Sequence, residues 1–340
     1  MKIGIVTVYD AMDNLGSFLQ AYALKLFLEQ NNNQVFFVRN RDISSEIGKR
    51  MLKLNPKREL FLRIKKVGCF LKDLKKIQVI SRNYASENMD CIIYGSDEIW
   101  NMDNPYFKSE FFWGGNIIGR NKVAYAVSLG EMKYETLIAN ENIVNNIIDF
   151  SKVYVRDQYT KDNIGRYLGK SLEITCDPTL LVDVKELSDD IAIPNEKYIF
   201  VYTYGIDQPM IDNIVRYARE HGLKIISACF WHIWCDQIIE CRPLQFSTLI
   251  RYAESVFTST FHGAIFTMLN HKRCCILPVR NKVKDVVERL GVSQHIVTNN
   301  CSYDEFNNII NKTFPSKVFD KNLKEFKRES GKKLLEAIQC

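Results

Sequence analysis

The sequence predicts an α/β protein of two domains, each a parallel sheet covered by helices on both faces. Three observations carry that expectation. β-branched and aromatic runs alternate with helical patterns along most of the 340 residues. A polar connector interrupts the alternation at 177–195, where Asp177-Pro178 opens a turn and Pro194 closes a charged stretch. The unusual polar residues fall just past the carboxyl ends of the expected strands, the edge at which open parallel sheets bind ligands.

Strands are expected at 3–8, 35–39, 91–94, 123–128, 153–156, 198–203, 224–228, 255–259, 273–277 and 295–297. Apolar spacing of the helical kind predicts helices at 17–30, 134–150, 158–168, 208–220, 246–253, 283–290 and 304–312. One sheet of ten strands is less favoured than two domains. The divisions are therefore set at 1–185, with a basic insertion at about 45–80, and at 190–315, followed by a tail at 316–340. In the tail Leu323, Phe326, Leu334, Leu335 and Ile338 recur at helical spacing, which predicts a helix over 320–338 in need of a partner surface.

Composition narrows the function classes. The apolar and charged fractions are 46% and 25%, those of a globular domain. No stretch approaches the ~20 apolar residues of a membrane span. The N-terminus enters a strand directly and shows no cleavage site, so no signal peptide is expected and the protein is placed in the cytoplasm. The ten cysteines are scattered without a CxxC pair and are expected to be reduced thiols. Cys229, His232, Cys235 and Cys241 look superficially like a metal set, but their spacing matches no common zinc arrangement. No metal is expected.

The net charge of +6 is unevenly spread: eleven Lys/Arg face only Glu59 and Asp73 between Lys49 and Lys76. Leu52, Leu54, Leu60, Phe61, Ile64 and Leu71 interleave with these charges. Two readings stand for this segment. It is either a solvated helical insertion or a basic amphipathic helix at an anionic membrane face. Confinement of the basic excess to one segment argues against nucleic acid as a partner.

The most informative stretch is 255–269. It begins as a buried strand, breaks through Ser259, Thr260, His262 and Gly263, and resumes as an apolar run of helical character. A helix that starts there aims backbone N–H groups at an anion, and a histidine adds a proton or a positive charge. The competing reading is a histidine that caps its own helix. Other polar residues hold equivalent positions: Asn14 and Gly16; Ser96 and Asp97, with Trp100 and Asn101 beyond; Ser128; Arg156; Tyr204 and Gly205; Arg280 and Lys282. Each has a structural alternative. Asn14 and Gly16 shape a turn, and Asp97 caps a short helix. Trp100 packs and Asn101 turns. Arg156 pairs with Asp157 or another acid, and Lys282 is a solvated residue at a helix start. Together, the basic groups and His262 on the C-terminal half point to an anionic ligand there.

Several segments resemble the polysaccharide pyruvyl transferase family. They are the strand from Lys2 with the turn and helix at 14–24; Tyr94-Gly-Ser-Asp-Glu-Ile-Trp-Asn101; Ala124-Tyr-Ala-Val-Ser-Leu-Gly130; Val155-Arg-Asp157; Cys176-Asp-Pro-Thr-Leu180; and Thr258-Ser-Thr-Phe-His-Gly263. The last is similar to the family's S-F-H-G signature, with Thr260 in place of serine. The resemblance covers roughly 1–310 and leaves the basic segment outside it.

The resemblance implies two Rossmann-like domains in a GT-B-like arrangement with an active-site cleft between them, the tail helix packing back on the N-terminal domain. It implies phosphoenolpyruvate as donor substrate, with no cofactor, and a sugar acceptor of a surface glycan that is lipid-linked, nucleotide-linked or polymeric. The product is a pyruvate ketal. His262 is then the general acid and Asp97 the acceptor of a hydroxyl proton. Arg156, Ser259, Thr260, Gly263, Arg280 and Lys282 bind the donor. Asn14, Gly16, Ser96, Trp100, Asn101 and Ser128 bind the acceptor. A GT-B glycosyltransferase using a nucleotide sugar is the alternative, and a glycan-binding relative without catalysis is a third.

Overall fold

The computed structural model describes residues 1–10, 14–39, 68–117 and 121–339. The chain divides into two compact units, Met1–Val182 with Phe326–Cys340, and Asp183–Glu325.

The first unit is built on strands β1 (Lys2–Val6), β2 (Gln34–Val38), β3 (Val79–Ile80), β4 (Cys91–Tyr94), β5 (Asn121–Val127), β6 (Lys152–Val155) and β7 (Glu173–Ile174). They form one sheet in the order β3-β2-β1-β4-β5-β6-β7, every pair parallel. This is the strand order of a Rossmann sheet with one further edge strand. Its central strands are buried on both faces, which explains the unbroken apolar run Cys91-Ile-Ile-Tyr94. Helix Leu15–Gln30 follows β1, capped by Asn14, whose Oδ1 accepts from Gly16 N at 3.0 Å. Helix Gln158–Leu168 follows β6 and is capped by Asp157.

The second unit contains β8 (Tyr198–Tyr202), β9 (Lys224–Ala228), β10 (Gln237–Ile239), β11 (Ser255–Thr258) and β12 (Cys274–Ile276). Their order is β10-β9-β8-β11-β12, again all parallel. Helices Gln208–Glu220, Phe261–Leu269 and Asn281–Arg289 follow β8, β11 and β12. A cluster of Ile199, Val201, Ile214, Tyr217, Phe257, Cys275 and Phe306 packs against this sheet.

Several expectations need correction. No strand forms at 295–297: residues Ser293–His295 make a 3-10 turn, and only an isolated bridge joins Ile276 to Ile296. The single helix expected over 134–150 is three short pieces, Tyr134–Ala139, Glu141–Val144 and Asn145–Asp149. The tail helix is longer than expected, Ser316–Ile338, and its residues are shared. Ser316–Glu325 group with the second unit and Phe326 onward with the first. Leu334, Ala337 and Ile338 are buried there, Cys176 N donates to Ser330 Oγ at 2.9 Å, and Asn121 Nδ2 donates to the Ala337 carbonyl at 3.0 Å.

Most of the basic segment Lys49–Lys76 lies outside the described residues. Its described end is anchored through Phe70 while Lys72, Lys75 and Lys76 are exposed. Phe70 is buried edge-on against Phe18 with centroids 5.8 Å apart, and β3 pairs with β2 just beyond. Among the described residues no helix is long and apolar enough to cross a membrane.

Candidate functional site

At the carboxyl edge of the first unit's sheet the polar residues are buried and bonded to one another. Arg156, just past β6, is the hub. Its Nη1 lies 3.1 Å from Asp177 Oδ2 and its Nη2 lies 3.2 Å from Asp97 Oδ1, with the guanidinium almost fully enclosed. Burial disfavours the charge on Arg156, but Asp97 and then Asp177 outweigh it and raise the pKa above its ordinary value. Asp97 follows Gly95 and Ser96 beyond β4 and has φ +77°, a left-handed conformation that few side chains adopt. Two backbone bonds fix it there: Ser128 N donates to Asp97 O at 3.0 Å, and Trp100 N to Ser128 O at 3.3 Å. At Gly95, φ is +123° and an added Cβ would collide with the Tyr125 carbonyl, so the sharp exit from β4 requires glycine.

Ser96 Oγ donates to Gln20 Oε1 at 2.8 Å, and Gln20 Nε2 in turn donates to Val8 O, Ser17 O and Thr7 Oγ1 at 2.9, 2.8 and 3.1 Å. Ser128 Oγ donates to Asp157 Oδ2 at 2.6 Å and accepts from Gly130 N at 3.0 Å. Trp100 is fully buried, stacked on Trp113 at 5.1 Å, and its Nε1 donates to the Phe112 carbonyl at 2.9 Å. Asn101 is half-buried in a turn with Glu98, and Asn14 is exposed at its helix cap.

The second unit organises its edge differently. Ser259 Oγ accepts from Thr203 Oγ1 at 2.7 Å and Tyr204 N at 3.0 Å and donates to Tyr204 O at 2.8 Å. It therefore clamps the end of β11 to the end of β8. Thr258 Oγ1 donates to Tyr202 O at 2.6 Å and accepts from Thr260 N at 3.1 Å. Thr260 is the cap of helix Phe261–Leu269, its Oγ1 accepting from Gly263 N at 3.0 Å. A Cβ on residue 263 would collide with Thr258 Oγ1 and Thr260 Oγ1. That packing explains glycine immediately after His262: the helix starts too close to the strand end for any side chain. His262 sits in this first turn, 6% exposed, its ring edge-on to Phe261 at 5.3 Å.

Because β11 and β12 are paired, the helices that follow them start side by side. Arg280 occupies the cap position of helix Asn281–Arg289, and Lys282 lies in its first turn. Lys282 Nζ sits 5.1 Å from the centroid of the Phe261 ring, which brings it to the turn that carries His262.

The expected site residues fall in both units. His262, Thr260, Gly263, Arg280 and Lys282 belong to one edge in the second unit. Arg156 belongs to the first unit, where its guanidinium is paired with Asp97 and Asp177. Asp97, expected as an acceptor of a hydroxyl proton, has its Oδ1 in that pair. Ser259 has its hydroxyl hydrogen donated and its oxygen accepting twice, and so is a clamp rather than a donor ligand. Ser96, Ser128 and Trp100, expected as acceptor contacts, are buried and hydrogen-bonded within the first unit. The amide of Gly263 is taken by Thr260, so that residue contributes close packing instead of a donor to an anion.

Sequence reasoning also missed partners. Gln20 and Thr7 belong to the first edge, and the signal was a glutamine placed among the apolar positions of helix Leu15–Gln30. Asp177 stands in sequence in a turn and in the 176–180 segment, with no signal that it pairs with Arg156.

The comparisons extend this picture. Residues 14–281 match the family model described as polysaccharide pyruvyl transferase. No curated protein matches the sequence. Among solved structures, a protein assigned as a UDP-N-acetylglucosamine 2-epimerase in Listeria monocytogenes is similar over 99% of this chain and 95% of its own, with TM-score 0.59 and 11% identity. An α-glucosyltransferase in complex with UDP and a DNA 13-mer is similar over the whole of both chains, with TM-score 0.55 and 10% identity. The UDP-GlcNAc 2-epimerase of Methanocaldococcus jannaschii covers 96% of this chain and 100% of its own, with TM-score 0.53 and 10% identity. At such identities these likenesses speak to fold alone: two Rossmann-like domains of the GT-B kind.

Proposed function

This chain belongs to the polysaccharide pyruvyl transferase family, and from that premise we propose that it transfers a pyruvyl group from phosphoenolpyruvate to two hydroxyls of a surface-glycan sugar, forming a ketal. One observation carries the reading: Lys282 lies over the Phe261 ring at 5.1 Å, so a cation and His262 share one edge where two helices begin. Phosphoenolpyruvate carries a phosphate and a carboxylate. Lys282 and Arg280 suit these groups, and the helix starts add a favourable field.

The chemistry needs a proton at the methylene carbon. Histidine is the side chain best able to supply one near neutral pH, and His262 is assigned that role. Protonation makes the adjacent carbon electrophilic, and a sugar hydroxyl attacks it. The proton of that hydroxyl restores His262. Phosphate then leaves with the C–O electron pair, and a second hydroxyl closes the ring, its proton departing with phosphate. Of the two hydroxyl protons, one ends on the new methyl group and one on phosphate, so the sequence balances without metal or redox cofactor. The acceptor is a sugar of a polysaccharide or its precursor, lipid-linked in one variant of the reading, and the reaction is assigned to the cytoplasmic face.

Titration calorimetry in excess chelator tests the donor. Phosphoenolpyruvate is expected to bind, and Lys282→Ala to weaken it by about tenfold, the loss of one charge-assisted contact. Binding of UDP-sugars with none of phosphoenolpyruvate would replace this reading with a nucleotide-sugar glycosyltransferase.

A further inference from the structure

In the pyruvyl-transfer reading the acceptor sugar has to reach His262 in the second unit. The loop after β9 has the composition to bind it. Phe230 packs on Tyr202 at 4.7 Å and on Tyr204 at 6.3 Å; His232 follows at 6.3 Å from Phe230, and Trp234 at 5.0 Å from His232. These aromatic contacts link the end of β8 to Trp234, which packs against the core of the second unit. The loop's outer residues stay in solvent: Trp231 is 51% and Ile233 89% exposed, and Tyr204 is 38% exposed.

The same patch is joined to the His262 segment. Tyr204 is held through both its N–H and its carbonyl by Ser259, three residues before His262. It also contains a polar atom without a protein partner: His232 Nε2 is buried and makes no hydrogen bond among the described residues. In a neutral imidazole the ring nitrogen that carries no proton accepts a hydrogen bond, and Nε2 takes that role in the tautomer protonated at Nδ1. Burial lowers the pKa of His232 below its ordinary value against the opposing effect of the Thr203 backbone, in keeping with a neutral, accepting ring.

We propose that the 229–236 loop and Tyr204 form a sugar-binding platform, Trp231 and Tyr204 stacking on the apolar face of an acceptor pyranose and His232 Nε2 accepting from one of its hydroxyls. A sugar ring presents flat C–H faces rimmed by hydroxyls, and the patch pairs exposed aromatic faces with one acceptor nitrogen. No Asp, Glu, Lys or Arg stands at 230–235, and His232 is held neutral by burial, which suits a neutral ring over an ionic ligand. The proposal rests on the pyruvyl-transfer reading for the identity of the ring as acceptor, and on the loop alone for sugar binding.

Intrinsic fluorescence separates the two. Of the four tryptophans, Trp100 and Trp113 are buried in the first unit and Trp231 and Trp234 lie in this loop. Titration of the full chain with a panel of neutral gluco-, galacto-, manno- and N-acetylglucosamine oligosaccharides is expected to shift the emission, and Trp231→Ala is expected to abolish the shift. In phosphate-release assays Trp231→Ala and His232→Ala should raise the acceptor KM by about tenfold, leave the phosphoenolpyruvate KM within about twofold, and Trp231→Phe should restore most of the loss. A sugar-dependent emission shift without any phosphate release would retain the platform and reject pyruvyl transfer. Turnover with an acceptor KM unchanged in Trp231→Ala, or an emission unmoved by the whole panel, would overturn the platform.

Discussion

Arg156 and Asp177 form an ion pair, Nη1 to Oδ2 at 3.1 Å, in which neither side chain reaches solvent appreciably. With Asp97 on its other side, Arg156 joins the end of β6 to the turn beyond β4 and to the segment that closes the first unit. The two ion pairs join Arg156 and Asp97, which in sequence stand as site candidates, to Asp177, which in sequence stands in a turn.

Loss of Arg156 should therefore act on stability first. Arg156→Ala leaves Asp97 and Asp177 buried without their cation and should cost ~3–5 kcal/mol, the usual scale for breaking a buried pair from one side. Urea unfolding measures it. Donor affinity of whatever variant remains folded should match the parent. A fully stable Arg156→Ala with weakened phosphoenolpyruvate binding would return Arg156 to the donor site.

His295 gives the fold a pH dependence. The residue is fully buried, with Nδ1 3.0 Å from the Cys274 carbonyl. Burial lowers its pKa below the ordinary value, and the Cys274, Thr313 and Ile309 backbones only partly offset this. Between that lowered value and the unfolded value of ~6.5 the unfolded chain binds more protons than the native one. The contribution is fully present above ~6.5 and is lost as pH falls below it. Melting temperature should drop between about pH 7.5 and 5.5, and the drop should be smaller in His295→Gln. Equal drops in the two proteins would contradict this.

The sequence was most legible where physics is local. Strands buried on both faces, such as Cys91–Tyr94 and Lys224–Ala228, and helices with a clear apolar stripe, such as Gln158–Leu168 and Gln208–Glu220, were found at or near their observed bounds. The strands that escaped were edge strands of two or three residues: Val79–Ile80, Glu173–Ile174 and Gln237–Ile239. They are too short for alternation to register, and their pairing depends on neighbours distant in the chain. The region 295–297 has strand composition, but its backbone reaches the sheet by one bridge only. The site was legible as positions and not as partners. Sequence places Asp97, Arg156 and Ser259 at sheet edges, but whether a polar side chain meets a ligand or another protein group is decided by tertiary neighbours, here Asp177 for Arg156 and Tyr204 for Ser259. Gly263 is the reverse case: its motif position was read from the sequence, and Thr258 and Thr260 explain why only glycine fits.

The most direct test of the account is turnover by His262→Ala, assayed as phosphate release from phosphoenolpyruvate with a sugar acceptor, alongside its melting temperature. If His262 supplies the proton, turnover should fall by ~100-fold or more, while the fold persists because Thr260 and Gly263, not His262, make the helix cap. A folded His262→Ala protein with near-normal turnover would contradict the assignment and with it the proposed mechanism.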